Sequence, residues 1–221
     1  MAPRGGSPAD VLQQVALYDG EVVVSGPPGY CIDGAHIRRN ASGAFVPLAS
    51  CESLTGTPGV PVPAALMTVS VLPREGAQAR PTADDIAVSM APAQPLELID
   101  EPDLSMVRFA TGGQQRMPGG DPRYWRGGMV INGHLLGLSV YGPEGSALAG
   151  ADGRRLLSDL ALALRAGSPD LATLPEAPAP GATARTGPET AEGPQTDSAT
   201  DSKQRPTGLR SLLGGLFPKS G

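Results

Sequence analysis

The stretch GGMVINGHLLGLSVYG, residues 127–142, decides how the rest of the chain is read. Two apolar runs flank Asn132-Gly133, a dipeptide suited to the two consecutive positive φ angles of a type I′ turn. The stretch therefore predicts an antiparallel hairpin. Shortly after it, DGRRLLSDLALALR (152–165) places Leu156, Leu157, Leu160 and Leu164 on one helical face, with Gly167 and Pro169 as its stop. A hairpin followed by a helix with one apolar face, without strict alternation of strand and helix, predicts an α+β fold. Its expected form is a largely antiparallel sheet with a few packed helices.

Working back from the hairpin, ALMTVSVL (65–72) reads as a well-patterned strand. AFVPLA (44–49) reads as another, which Pro47 pushes toward an edge or a bulge because proline lacks an N–H for the ladder. Asp19-Gly20 turns the chain into the strand Glu21–Val24, and Gly26-Pro27-Pro28-Gly29 ends it. PADVLQQVAL (8–17) is expected to be a short helix with Val11, Leu12 and Val15 on one side. Asp33 is expected to cap a second short helix over Ala35 to Arg39. Thr82 is expected to cap a helix through Ile86 to Met90, with Asp84 and Asp85 in its favourable first turn. The acids of LELIDEPD (96–103) read as a solvated turn, since nothing in the sequence fixes the carboxylate separation that glycoside hydrolysis needs.

Composition divides the chain. Residues 9–167 hold nearly all the aromatic and periodic apolar segments and are read as the globular domain. Residues 168–206, rich in Pro, Ala, Thr, Gly and acids, cannot bury enough apolar surface to offset the entropy of ordering and read as a disordered linker. Residues 207–217 return to an apolar pattern. The net charge of −5 and an aromatic content of 4% argue against nucleic acid as a partner. No stretch approaches the roughly 18 to 20 apolar residues of a membrane span. As written, the N-terminus lacks the apolar core of a secretory signal, which places the chain in the cytoplasm, whereas an upstream signal would place it in the periplasm or envelope.

Two cysteines, Cys31 and Cys51, and two histidines, His36 and His134, are the inventory of a Cys2His2 zinc site. Structural zinc sites set two ligands on a tight knuckle, and the closest pair here is Cys31-x4-His36, so no metal is expected. Cys31 activated by His36 or His134 is the one candidate nucleophile, although Asp33 sets a negative charge close to the sulfur and no hydrolase signature surrounds it. The remaining readings are structural: a Cys31–Cys51 bridge in an oxidising compartment, or two small buried hydrophobes in a reducing one. His134 is expected to be a partly exposed hairpin residue.

GPPGYCID (26–33), FVPLASC (45–51) and ALMTVSV (65–71) together resemble a family of small alphaproteobacterial proteins with no assigned activity, in which a G-P-x-G-Y-C-x-D element and a later S-C recur, usually behind an export signal. The likeness covers about a third of the chain. It implies an exported, disulfide-bearing domain, and the missing signal is where this sequence departs from it.

Two segments are candidate contact sites. ATGGQQRMPGGDPRYWRGG (110–128) lacks a phosphate-loop motif and reads as a surface loop whose Arg123, Trp125 and Arg126, with Arg116 and Tyr124, could meet a partner. TGLRSLLGGLFPKSG (207–221) puts Leu209, Leu212, Leu213, Leu216 and Phe217 on one stripe, with Thr207 as cap and Pro218 as stop. Such a stripe suits a partner's groove or a membrane surface, and its alternative is to fold back on its own domain. The sequence thus reads as a non-enzymatic accessory or interaction module with a tethered docking motif and no cofactor. The competing readings are a small Cys31-dependent enzyme and an envelope protein stapled by its cysteines.

Overall fold

The computed structural model describes residues 10–75 and 79–171. Its strands are β1 (Val11–Leu12), β2 (Gln14–Leu17), β3 (Val22–Ser25), β4 (Tyr30–Asp33), β5 (Arg38–Asn40), β6 (Gly43–Ser50), β7 (Leu66–Val71), β8 (Pro95–Asp100), β9 (Ser105–Phe109), β10 (Tyr124–Ile131) and β11 (His134–Tyr141). Its helices are α1 (Cys51–Thr55), α2 (Ala83–Ser89) and α3 (Ala151–Gly167). The main sheet runs β1-β4-β6-β7-β11-β10-β9-β8, with β5 also on β6, and every pairing is antiparallel. β2 and β3 form a separate two-stranded ribbon. The fold is α+β.

The predicted hairpin is the centre of this sheet. Asn132 and Gly133 have φ of 52° and 80°, and β11 is buried along its whole length because β7 flanks it on the other side. Asn132 also ties the layers together: its Nδ2 donates to the carbonyls of Glu21 and Pro169 at 2.7 and 2.8 Å. One sheet face carries Val46, Leu48, Met67, Val69, Leu136, Leu138 and Met129, and α3 closes over it with Leu156, Leu157, Leu160 and Leu164. On the other face α2 packs Ala83 and Ile86 against Val107, Phe109, Tyr124 and Tyr141. Gly128 permits that approach: a Cβ there would stand 2.7 Å from Pro81. Thr82 caps α2 as expected, in a reciprocal box with Asp85.

Four local expectations are corrected. Residues 11–17 are strands rather than a helix. Gln14 and Ala16 point out while Val15 is partly buried and Leu17 buried, a period-2 alternation that pairs with Val22–Ser25 of β3. Asp33 caps no helix. Its carboxylate lies 2.7 Å from His36 Nδ1 across a three-residue turn, and the chain continues as β5. β6 is not an edge strand. β5 pairs with it through Gly43–Phe45 and β4 through Leu48–Ser50, and Pro47 falls at the changeover, where a ladder donor is not required. The acidic stretch 96–103 is largely strand, with β8 pairing β9 at the sheet's edge and only Glu101–Asp103 turning.

Candidate functional site

α2 covers only the β9–β10 side of its face, so the outer surface of β6 and β7 opens as a cavity of about 670 Å³. Phe45, Pro47 and Leu66 give it apolar walls, Thr68 and Ser70 lie in its lining, and Arg116, Arg38, His36, Asn40 and Asp33 contribute the rest of its polar surface. Volume and composition suit a small molecule.

Sheet register continues this face beyond the cavity lining. Pro47, Thr68, Ser139, Arg126 and Val107 are successive partners across β6, β7, β11, β10 and β9. Directly opposed residues of antiparallel strands share a face, so this is one continuous row. The adjacent row, Phe45, Ser70, Gly137 and Gly128, has two positions without side chains. Thr68 is 6% exposed, Ser70 1%, Ser139 1% and Arg126 3%. The hydroxyls of Thr68, Ser70 and Ser139 make no hydrogen bond among the described residues. Leaving such groups unmatched in a sheet costs about 1–3 kcal/mol each.

Arg126 brings a guanidinium onto this row. Burial lowers its pKa, the phenols of Tyr141 and Tyr124 oppose that shift, and the Arg116 guanidinium adds to it. Tyr124 stacks between Phe109 and Tyr141, with centroids 5.4 and 5.2 Å away, and burial pushes its phenol up to about 12. At the rim the Asp33 carboxylate is engaged by His36.

Cys31 on β4 and Cys51 at the start of α1 form a disulfide, their Cα atoms 4.8 Å apart. Cys31 is 1% exposed, and a sulfur in a disulfide is not a thiolate, so no nucleophile stands where the sequence offered one. His134 is corrected from a partly exposed residue to a buried one. Its Nδ1 lies 2.8 Å from the Leu72 carbonyl, its Nε2 lies 2.9 Å from Glu21 Oε2, and its ring stacks on Tyr18. The hydrogen bond from His134, aided by Arg74, holds the Glu21 carboxyl below its ordinary value of 4.5. No cluster of metal-ligating side chains occurs among the described residues.

The Arg-Trp segment is not a loop where it matters. Tyr124, Trp125 and Arg126 belong to β10 and are buried. Trp125 faces α3, donating from Nε1 to the Gly150 carbonyl at 2.8 Å, with Arg108 over its ring. Arg123 stays at the surface and grips Asp121 with two bonds of 2.9 and 3.0 Å, which hold that carboxyl well below the usual carboxylate range. Leu209, Leu212, Leu213, Leu216 and Phe217 lie outside the described residues, as does the linker from 172 onward. No described helix is long and apolar enough to cross a membrane.

A second cavity, about 720 Å³, runs between Pro27, Pro28 and Val62 and the Arg155–Leu162 side of α3, and it holds none of the unmatched hydroxyls. The residues the sequence reading missed are thus Thr68, Ser70 and Ser139. Their signal was present as M-T-V-S-V and L-G-L-S-V, a small or polar residue at every second position of otherwise apolar strands. Comparison with protein-family models, with curated proteins and with solved structures finds no match to this chain.

Proposed function

We propose that the protein is a non-enzymatic accessory module that holds a small molecule on the open β6–β7 face, with residues 207–217 serving as a docking motif for a partner protein or a membrane surface. The observation that carries the ligand reading is the open cavity over β6 and β7, walled by Phe45, Pro47 and Leu66 with polar side chains around it. A concave site with apolar walls and a few polar groups is the usual form of a small-molecule site. The docking motif rests on its apolar stripe, and a long polar tether would keep it at high effective concentration near the folded part. The bridged cysteines favour an oxidising compartment over a thiol enzyme.

The test is a fragment screen on the isotopically labelled full chain, followed by amide shifts. Shifts concentrated at residues 43–47, 66–70 and 137–139 support the reading. Shifts confined to the α3 groove, or none at any cavity, overturn it.

A further inference from the structure

We propose that the second cavity, between Pro27, Pro28 and Val62 on one side and α3 on the other, holds residues 207–217 of the same chain as a short helix. This rests on the reading of that segment as a docking motif and adds where the motif lies when no other partner holds it. The ligand reading of the β6–β7 face plays no part in it.

The walls fix the kind of occupant. Pro27, Pro28 and Pro63 have no backbone N–H, and the Tyr30 hydroxyl donates to the Pro63 carbonyl at 2.8 Å. This wall therefore offers an incoming strand no ladder of donors, and it meets an occupant through apolar side-chain surface, as a helix requires. Across from it, Leu162 is 66% exposed, whereas Leu156, Leu157, Leu160 and Leu164 of the same helix are buried. Ala163 and Ala166 beside it are small and leave depth for larger side chains to enter.

Length and charge favour the chain's own segment. The Val23 N–H donates to Ser168 Oγ at 3.0 Å and Asn132 donates to the Pro169 carbonyl, so the chain leaves the domain at the Ala166 end of the groove. The groove lining runs from Asp152 to Ala166, about 21 Å along α3. Residues 207–217 as a helix measure about 16 Å, and the roughly 35 residues before them reach up to about 115 Å, so the segment can lie anywhere along the groove. Leu209, Leu212, Leu213, Leu216 and Phe217 supply the apolar face that such walls take. Asp152 and Asp159 line the α3 side together with Arg155, which bonds Asp152 at 3.2 Å. The segment brings Arg210, with Lys219 just beyond it, and no acid from Thr207 to Gly221. Gly214 and Gly215 weaken this helix in isolation, and a shared chain raises the effective concentration at which it meets the wall.

The experiment places a nitroxide on a Ser220→Cys variant of the isotopically labelled full chain. The native cysteines are bridged, so the introduced thiol is the labelling point. The amides of Val62, Leu162, Ala163 and Ala166 are expected to lose most of their signal, and those of β6 and β7 to keep theirs. Leu162→Glu, at an exposed position that tolerates change, and separately Leu213→Glu should each restore the signal of Val62, Ala163 and Ala166. Loss at β6 and β7, loss at no site, or loss that survives both substitutions overturns the proposal. Loss appearing on a nitroxide-free labelled chain mixed with a nitroxide-bearing unlabelled one means that a second copy supplies the segment, which overturns the same-chain occupant. Vesicles of phosphatidylcholine and phosphatidylglycerol then separate this failure from that of the docking motif. A silent groove with 207–217 amides ordered on the vesicles overturns the resting place and leaves the motif standing. Silence in the groove and on the vesicles removes the membrane reading of the motif with it.

Discussion

The two faces of the central sheet differ in how they hold polar atoms. Under α3, Trp125 reaches the Gly150 carbonyl and His134 has a partner at each ring nitrogen, while Arg108 Nε beside Trp125 makes no hydrogen bond among the described residues. On the other face, the same strands β7 and β11 carry Thr68, Ser70 and Ser139, equally buried and unmatched. The faces share one backbone, one twist and one set of strand pairings, so the difference lies in the side chains alone. A face that is closed by a helix must satisfy its polar groups internally, because no solvent reaches them. On the other face Thr68 and Ser70 belong to the lining of the cavity.

The sharpest way to break this comparison is to damage the closed face. Leu157→Ala removes a fully buried side chain beneath α3 and should cost about 3–5 kcal/mol of unfolding free energy, read by chemical denaturation, because the close-packed site relaxes only partly. A loss under about 1 kcal/mol would mean that α3 is not the principal cover of the core.

Next in size is the staple. Cys31 and Cys51 lie 20 residues apart in sequence, and their joint replacement by serine, or full reduction, should lower stability by about 3 kcal/mol through the freed loop. The bridge joins β4 to the end of β6, at one edge of the sheet. Its loss should therefore loosen amide protection in β1, β4 and α1 before it reaches β10 and β11, which hydrogen exchange would resolve.

A smaller effect with the opposite sign is expected on the open face. Thr68→Val replaces an unmatched hydroxyl by a methyl group of similar shape, so stability should hold or rise by up to about 1 kcal/mol in the absence of ligand. A clear loss would show that the hydroxyl is matched after all and that the two faces do not differ as described.

The smallest effect concerns Glu21, which borders the closed face through His134. Its carboxyl is held below 4.5 by the hydrogen bond from His134 and then by Arg74. A carboxyl depressed in the folded state contributes stability that is fully present above its ordinary value and is lost as pH falls through the folded value. Thermal midpoints of the native chain and of Glu21→Gln should therefore converge as pH falls below the ordinary value of 4.5, the native chain losing more. Parallel curves would remove the Glu21–His134 contact from the acid response.

How much of this was legible in the sequence depends on the range of the interaction. The Asn132-Gly133 turn, the Leu156–Leu164 stripe and the Thr82 cap are local patterns, and each forms as expected because neighbouring residues supply all the constraints. The short apolar set of PADVLQQVAL (8–17), expected as a helix, fits either period. The strand state of residues 11–17 follows from pairing with β3 and β4, which are distant neighbours only the fold supplies. His134 looked exposed because it follows a hairpin turn, and it is buried because Tyr18, Glu21 and Leu72 close over it from elsewhere in the chain.

What the sequence by itself determined is therefore the fold class, the central hairpin and the helix that covers it, all of them products of residue periodicity within one segment. What only the tertiary structure decided is which strands stand beside one another. Thr68, Ser139 and Arg126 are scattered along the chain, and only the antiparallel register of β7, β11 and β10 aligns them into one row. A row of this kind belongs to no segment, because it exists only through the pairing of strands.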